Sequence, residues 1–175
     1  ACGAAFAHKS ELGAVRLGLR SPEDVLAAAE SIRAAVSAHG LSVESFLIEH
    51  MVEGGVAELI VGIQRDEQFG LALVIGSGGV LVELIGDSAS LLLPTDRKSV
   101  ERALMSLKVA TLLRGFRGKP AGDIGAAVDA ILSVAAFAES HWETLQELDV
   151  NPLIVLPQGQ GVVAVDALVC LHGSD

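Results

Sequence analysis

The stretch LQELDVNPLIVLPQGQGVVAVDALV, from Leu145 to Val169, limits the fold more than any other part of the chain. Val, Ile and Leu crowd around a Pro-Gln-Gly-Gln break, which reads as two strands joined by a short turn. With Pro157 to Gln160 as the loop, Leu156 faces Gly161 and Asn151 faces Asp166. Directly opposed side chains in such a pair have Cβ atoms about 4.5–5.5 Å apart. Asp149 precedes Asn151 by two residues and shares its face of the strand. Two carboxylates and an amide oxygen thereby converge on one patch. Hard oxygen donors in small number, leaving room for water and phosphate oxygens, suit Mg²⁺ in phosphoryl-transfer sites. The residues alone admit a second reading: Asp-x-Asn-Pro caps turns, and an Asp in a strand can accept backbone N–H bonds.

Upstream, Val15 to Leu19 reads as a short strand. Ser21-Pro22-Glu23 starts a helix, with Ser as N-cap and Pro in the first turn, running to about Ala38 with Gly40 as the stop. Ser45 to Val52 and Val56 to Gln64 read as strands joined by Glu53-Gly54-Gly55. Leu71 to Ile75 and Val80 to Ile85 follow, separated by GSGG, a sequence suited to positive φ angles. Leu91 to Leu93 is a further short strand. Thr95 or Asp96 then caps a helix expected to continue through Leu113. RGFRGKPAGD, 114 to 123, is a loop, and Asp123 to His141 a helix with Ala and Val on its packing face. Strand runs interrupted by a few helices predict an α+β domain with a mixed or antiparallel sheet.

At 51% hydrophobic over 175 residues the chain can fill a real core. Its net charge of −10 leaves no basic stripe for nucleic acid or an anionic membrane surface. An anion would have to be met locally, by backbone N–H groups, a few cations or a metal. The longest apolar runs fall short of the roughly 20 residues of a spanning helix. Two cysteines, Cys2 and Cys170, form no CxxC motif and no disulfide framework, so the expected setting is cytoplasmic. GSGG lacks the Gly-Lys-Ser/Thr end of a phosphate-binding P-loop. Ser10 has no evident base partner. His39 near a helix C-terminus is favoured by the dipole.

ELDVNPL and AVDALV together resemble the metal-binding hairpin of ATP-grasp domains in NDP-forming acyl-CoA synthetases and succinyl-CoA synthetase β chains. HKSELGAVRLGL (8–19) is similar to that family's His-Lys-Ser-Asp-x-Gly-Gly-Val stretch. GVAELIVGIQRDEQFG (55–70), GSGGVLVELIGD (76–87) and LLRGFRGKPAGDI (112–124) resemble further family segments, in the family's order.

The resemblance implies an ATP-grasp fold and a role in converting a carboxylic acid, CoA and ATP to acyl-CoA, ADP and phosphate by way of a phosphohistidine. Asn151 and Asp166 match the Mg²⁺ ligands, with Asp149 the acid beside them. Glu49, His50 and Met51 fall where the hinge strand offers backbone groups to the adenine edge of ATP or ADP. Glu58 matches the acid near the ribose. His8, Lys9 and Gly13 lie on the loop that covers the phosphates, and His8 also matches a phosphate-carrying histidine. Arg117 lies in the Arg-Gly loop. Gly13-Ala14 departs from the family's Gly-Gly, and the added methyl restricts backbone approach to phosphate.

Counting back from His8 places the family's nucleotide-contacting lysine just before Ala1. Residues 1–175 are therefore expected to be a partial ATP-grasp domain, truncated at its N-terminal side and inactive alone. CoA-binding and ligase domains of a parent protein are the implied partners, and oligomerisation is compatible with them. Two other roles stay open. One is a regulatory, non-catalytic ATP-grasp module fused to a protein acetyltransferase. The other is an assembly domain.

Overall fold

The computed structural model describes residues 12–79 and 86–172. They fall into two compact units, Ala1–Glu53 and Gly54–Asp175.

The first unit is built on helix α1, Pro22–Ala38. Its start is a capping box. The Ser21 hydroxyl accepts the Asp24 N–H at 3.1 Å, and the Asp24 carboxylate accepts the N–H groups of Ser21 and Arg20 at 3.1 and 3.0 Å. The Arg20 N–H, then the Ser21 hydroxyl, hold that carboxyl below its usual range. Gly40, at φ 73°, ends the helix as expected. The strands expected at Val15–Leu19 and Ser45–Val52 do not form. Apolar residues alternate in the first and run together at Phe46–Ile48 in the second, but a strand exists only where a neighbour completes the N–H···O=C ladder. Neither segment has one among the described residues. Leu17 and Leu47 stay 73% and 82% exposed.

Among the described residues the second unit is a six-stranded sheet in the order β3-β2-β1-β4-β5, with β6 also on β4. The strands are β1 Ala57–Asp66, β2 Gly70–Ser77, β3 Ser88–Leu92, β4 Leu145–Val155, β5 Val162–Ala164 and β6 Ala167–Leu171. Every pairing among them is antiparallel. The last stretch thus holds three strands rather than two: β5 and β6 are separated by Val165 and Asp166, which still bond across to Pro152 and Asn151 of β4. The strand expected at Val80–Ile85 lies outside the described residues.

Helices α2 Arg97–Ser106, α3 Ala110–Leu113 and α4 Ile124–Ser140 complete the unit. Val100 and Leu104 of α2 and Val128 and Ile131 of α4 are buried with Leu59, Val61 and Ile63 of β1 and Leu71, Leu73 and Ile75 of β2 in one core. Period-two alternation leaves Glu58, Gln64, Glu147 and Asn151 exposed.

The helix expected from Asp96 to Leu113 is capped by Asp96, whose Oδ1 accepts the Ser99 N–H at 2.7 Å, but it breaks at Leu107. The reason is Asp87, only 7% exposed. Its carboxylate accepts the N–H groups of Lys108 and Val109 at 2.8 and 3.1 Å. In a continuous helix those donors would go to the carbonyls of Leu104 and Met105.

Candidate functional site

The C-terminal hairpin has the register its sequence requires. Val155 faces Val162, Leu153 faces Ala164, and the Leu156 N–H donates to the Gly161 carbonyl at 3.1 Å. Continuing along it, the Asn151 N–H donates to the Asp166 carbonyl at 3.1 Å, so the two residues do face each other. Beyond them Asp149 pairs with Leu168. A bulge sits on the other edge of β4, between the Leu59–Leu153 and Val61–Val150 pairs. Ile60 there faces both Asn151 and Pro152, whose peptide bond is cis. The extra residue switches the buried parity from Leu148 and Val150 to Leu153 and Val155.

The tip of the hairpin is tied down by Asp123, the N-cap of α4. Its Oδ1 accepts the Ala126 N–H at 3.2 Å, and its Oδ2 accepts those of Gly159 and Gly161 at 2.9 and 3.0 Å. One carboxylate therefore caps a helix and fixes the turn that sets the strand register. The Ala126 N–H, then that of Gly161, hold it below the usual carboxylate range against burial, with Gly159 adding to them.

Asp149 is half-buried on the open side of the sheet. It pairs across β1 with Gly62, where a Cβ would sit 3.8 Å from Asp149 Oδ1. Burial pushes its carboxyl up. The charges of Glu147 and Asp166 push it further, while a hydrogen bond with Asn151 opposes them. Such mutual repulsion is what a divalent cation relieves. Among the described residues no group of three or more His, Cys, Asp or Glu converges as a closed metal cage. The donor set is two carboxylates and an amide, which fits Mg²⁺ completed by water and phosphate oxygens.

Glu58 is exposed on β1, opposite Ile154. Its carbonyl accepts the Gly78 N–H at 2.7 Å. A Cβ on Gly78 would lie 2.8 Å from the Cβ of Glu58 and 2.9 Å from its carbonyl carbon, so only glycine fits. Arg117 has φ 50° between Gly115 and Gly118, and its guanidinium lies 5.2 Å from the centre of the Phe116 ring. Its loop touches the hairpin tip, where the Gln158 N–H donates to the Ala121 carbonyl at 2.9 Å. The second unit thus holds Asp149, Asn151, Asp166, Glu58 and Arg117. Gly13, at φ 67°, belongs to the first unit, as do the exposed Glu49, His50 and Met51, in a segment with no ladder partner among the described residues. His8 and Lys9 lie outside the described residues.

Sequence reasoning missed Asp87, Glu147 and the double role of Asp123. Asp123 carried a signal as a helix start. Glu147 carried one as well, since it stands two residues before Asp149. Asp87 carried none, because its partners lie on a helix break that exists only because of it.

An antiparallel sheet with helices on one face, whose C-terminal hairpin turns acid and amide side chains to the other, defines an α+β domain. Residues 2–171 match the ATP-grasp domain model, and the chain belongs to that family. It is 34% identical over 168 residues to the II subunit beta of the ADP-forming acetate–CoA ligase of Pyrococcus furiosus, covering 95% of this chain and 71% of that one. It is 37% identical over 171 residues to a trans-feruloyl-CoA synthase from an unknown prokaryotic organism, covering 97% of this chain. Only 24% of that synthase is spanned. Among solved structures, acetyl-coenzyme A synthetase 1 of Ca. Korarchaeum cryptofilum with coenzyme A and Ca-AMPCP superposes with a TM-score of 0.87 at 35% identity, covering 95% of this chain and 72% of that one. The same synthetase has been solved with Mg-AMPPCP and its phosphohistidine segment pointing towards the nucleotide-binding site.

Proposed function

We propose that this chain is the nucleotide- and Mg²⁺-binding part of an NDP-forming acyl-CoA synthetase, whose whole converts a carboxylic acid, CoA and ATP to acyl-CoA, ADP and phosphate. The observation that carries this reading is the hairpin. Asn151 and Asp166 face each other, and Asp149 stands beside them with its ionisation opposed by neighbouring acids. The relatives' nucleotide complexes support it.

Asn151 and Asp166 would hold Mg²⁺, with Asp149 adjacent. The ion would neutralise charge on the transferring phosphoryl group. Glu58 would meet the ribose, Glu49, His50 and Met51 the adenine edge, and Lys9 and Gly13 the phosphates. Arg117 would add a cation. His8 would receive the γ-phosphoryl group: the bond from γ-phosphorus to the bridging oxygen breaks, a phosphorus–nitrogen bond to imidazole forms, and ADP leaves. Residues 1–175 would form part of the ATP-grasp domain, CoA-binding and ligase domains of the parent would complete the reaction, and its setting would be the cytoplasm.

The test is Asp166→Ala in the complete parent protein. Mg-dependent nucleotide binding is expected to disappear by titration calorimetry, with the circular dichroism of the fold retained. Unchanged binding in that variant removes Asp166 from the metal site.

A further inference from the structure

Aromatic residues make up 3% of this sequence, yet several gather at the end of the sheet away from the hairpin tip. Phe69 in the β1–β2 turn, Trp142 just after α4 and Phe137 near the end of α4 are 62%, 38% and 37% exposed. The Trp142 and Phe137 rings have packing or stacking partners, and the backbone that carries Phe69 is fixed. Asp66 Oδ1 accepts the N–H groups of Gln68 and Phe69 at 2.8 and 2.9 Å, which fixes the turn. Gly70 leaves room for the indole: a Cβ there would lie 2.7 Å from Cζ2 of Trp142. The Arg65 guanidinium donates to the carbonyls of Leu145, at 2.9 Å, and Trp142. The Phe137 ring stacks on His141 with centroids 4.2 Å apart. Rigid, pre-placed aromatics lose little entropy on binding and are the residue types that anchor protein interfaces.

The surrounding charges select the occupant. Asp66, Glu67, Glu139 and Glu143 are exposed around these rings, and Arg65 is committed to backbone carbonyls. An anionic lipid surface or a nucleic acid would meet acids of its own sign. A second copy docked face to face would oppose the two acidic rims, in a chain of net charge −10. The feruloyl-CoA synthase extends well beyond the part matched here, since the chain spans 24% of it. We infer that this end of the sheet docks a basic surface with an apolar centre, presented by another folded protein domain. Phe69 and Trp142 enter the apolar centre, and Glu67 and Glu143 face its cations. The inference needs no assumption about turnover.

The test places a photo-crosslinking residue in the full-length protein as isolated with its partners, as Phe69→p-benzoylphenylalanine and, separately, Glu143→p-benzoylphenylalanine. The same probe at exposed Leu112 of α3 is the control. After irradiation, mass spectrometry should map the crosslinked peptide to a Lys- or Arg-rich surface outside residues 1–175. Adding Glu67→Lys and Glu143→Lys to the Phe69 probe should lower that yield at least tenfold. Several results would overturn the inference: a crosslink to the same surface of a second copy, a crosslink to lipid, a yield at both positions no higher than at Leu112, or indifference to the charge reversal.

Discussion

Removing the Asp87 carboxylate should destabilise the second unit by an amount the structure sets. Asp87→Ala strands two backbone donors that now bond at 2.8 and 3.1 Å. The Val109 N–H is buried, and an unpaired buried donor costs about 1–3 kcal/mol. The Lys108 N–H is part-buried, so water recovers much of its bond, leaving under about 1 kcal/mol. The Ser77 hydroxyl also loses its partner. The loss should be about 2 kcal/mol, or roughly 4–8 °C in Tm for a chain of this size. Asp87→Asn keeps one acceptor oxygen but turns an NH₂ towards the second donor, and should cost about half as much. Urea unfolding of the parent and both variants measures the ranking, and hydrogen exchange at Val109 localises it. The pH dependence gives an independent check. Burial works to raise this carboxyl, but the Ser77 hydroxyl, the N–H groups of Lys108 and Val109 and the Lys108 charge outweigh it and hold it low. Its stabilisation is therefore full above the unfolded value of about 3.9 and is lost as pH falls through the lower folded value. An Asp87→Ala midpoint within about 0.5 kcal/mol of the parent, below the cost of one unpaired buried donor, would refute the reasoning.

The other expectations concern the hairpin and the turn beside Glu58. Asp149 has a folded-state pKa raised above its unfolded value, so its ionisation removes stability as pH rises through that raised value. Asp149→Asn should therefore raise stability slightly in EDTA at neutral pH, by under about 1 kcal/mol given solvent screening of this half-buried group, and reduce the gain in Tm on adding Mg²⁺; a lower Tm in EDTA counts against the repulsion. Asp123→Ala should speed amide exchange at Gly159 and Gly161 while leaving exchange on β2 unchanged. In the parent that staple should hold above the ordinary carboxylate range and loosen as pH falls through the lower folded value; equal exchange in the two proteins removes the staple. Gly78→Ala should cost about 1–3 kcal/mol by overpacking against the Glu58 backbone and weaken nucleotide binding in the parent. Chemical denaturation and calorimetry check both.

The sequence carried most of what is local. Helix α1 was legible because Ser21, Pro22 and Gly40 mark its ends through backbone chemistry that needs no distant partner. The hairpin register was legible because a short turn leaves few ways to pair the strands, and burial of Leu148 and Val150 excludes a one-residue slip. The strands expected at Val15–Leu19 and Ser45–Val52 do not form, since an apolar pattern gives a chain segment a side to bury without giving it a neighbour. The helix break at Leu107 depends on a carboxylate from Asp87, twenty-odd residues upstream. Within the candidate site, Asp149, Asn151 and Asp166 could be placed together from spacing. The contribution of Glu147 to the charge on Asp149 needed the folded face.

The charge balance explains why cation and nucleotide should bind as one unit. A chain of net charge −10 repels a nucleotide polyphosphate at long range. Its open sheet face adds Glu58, Glu147, Asp149 and Asp166 to that repulsion at short range. On their own, these acids oppose the ligand. With a divalent ion at the proposed site of Asn151 and Asp166, the same carboxylates would hold the ion, and the ion would draw the phosphates in. The core-facing side of the sheet makes this arrangement affordable. Leu59, Val61, Ile63, Leu71, Leu73 and Ile75 are at most 1% exposed, so the fold does not depend on the open face for its stability. That face is free to hold like charges close together, a costly arrangement on a bare surface and a productive one where a cation and an anion arrive together.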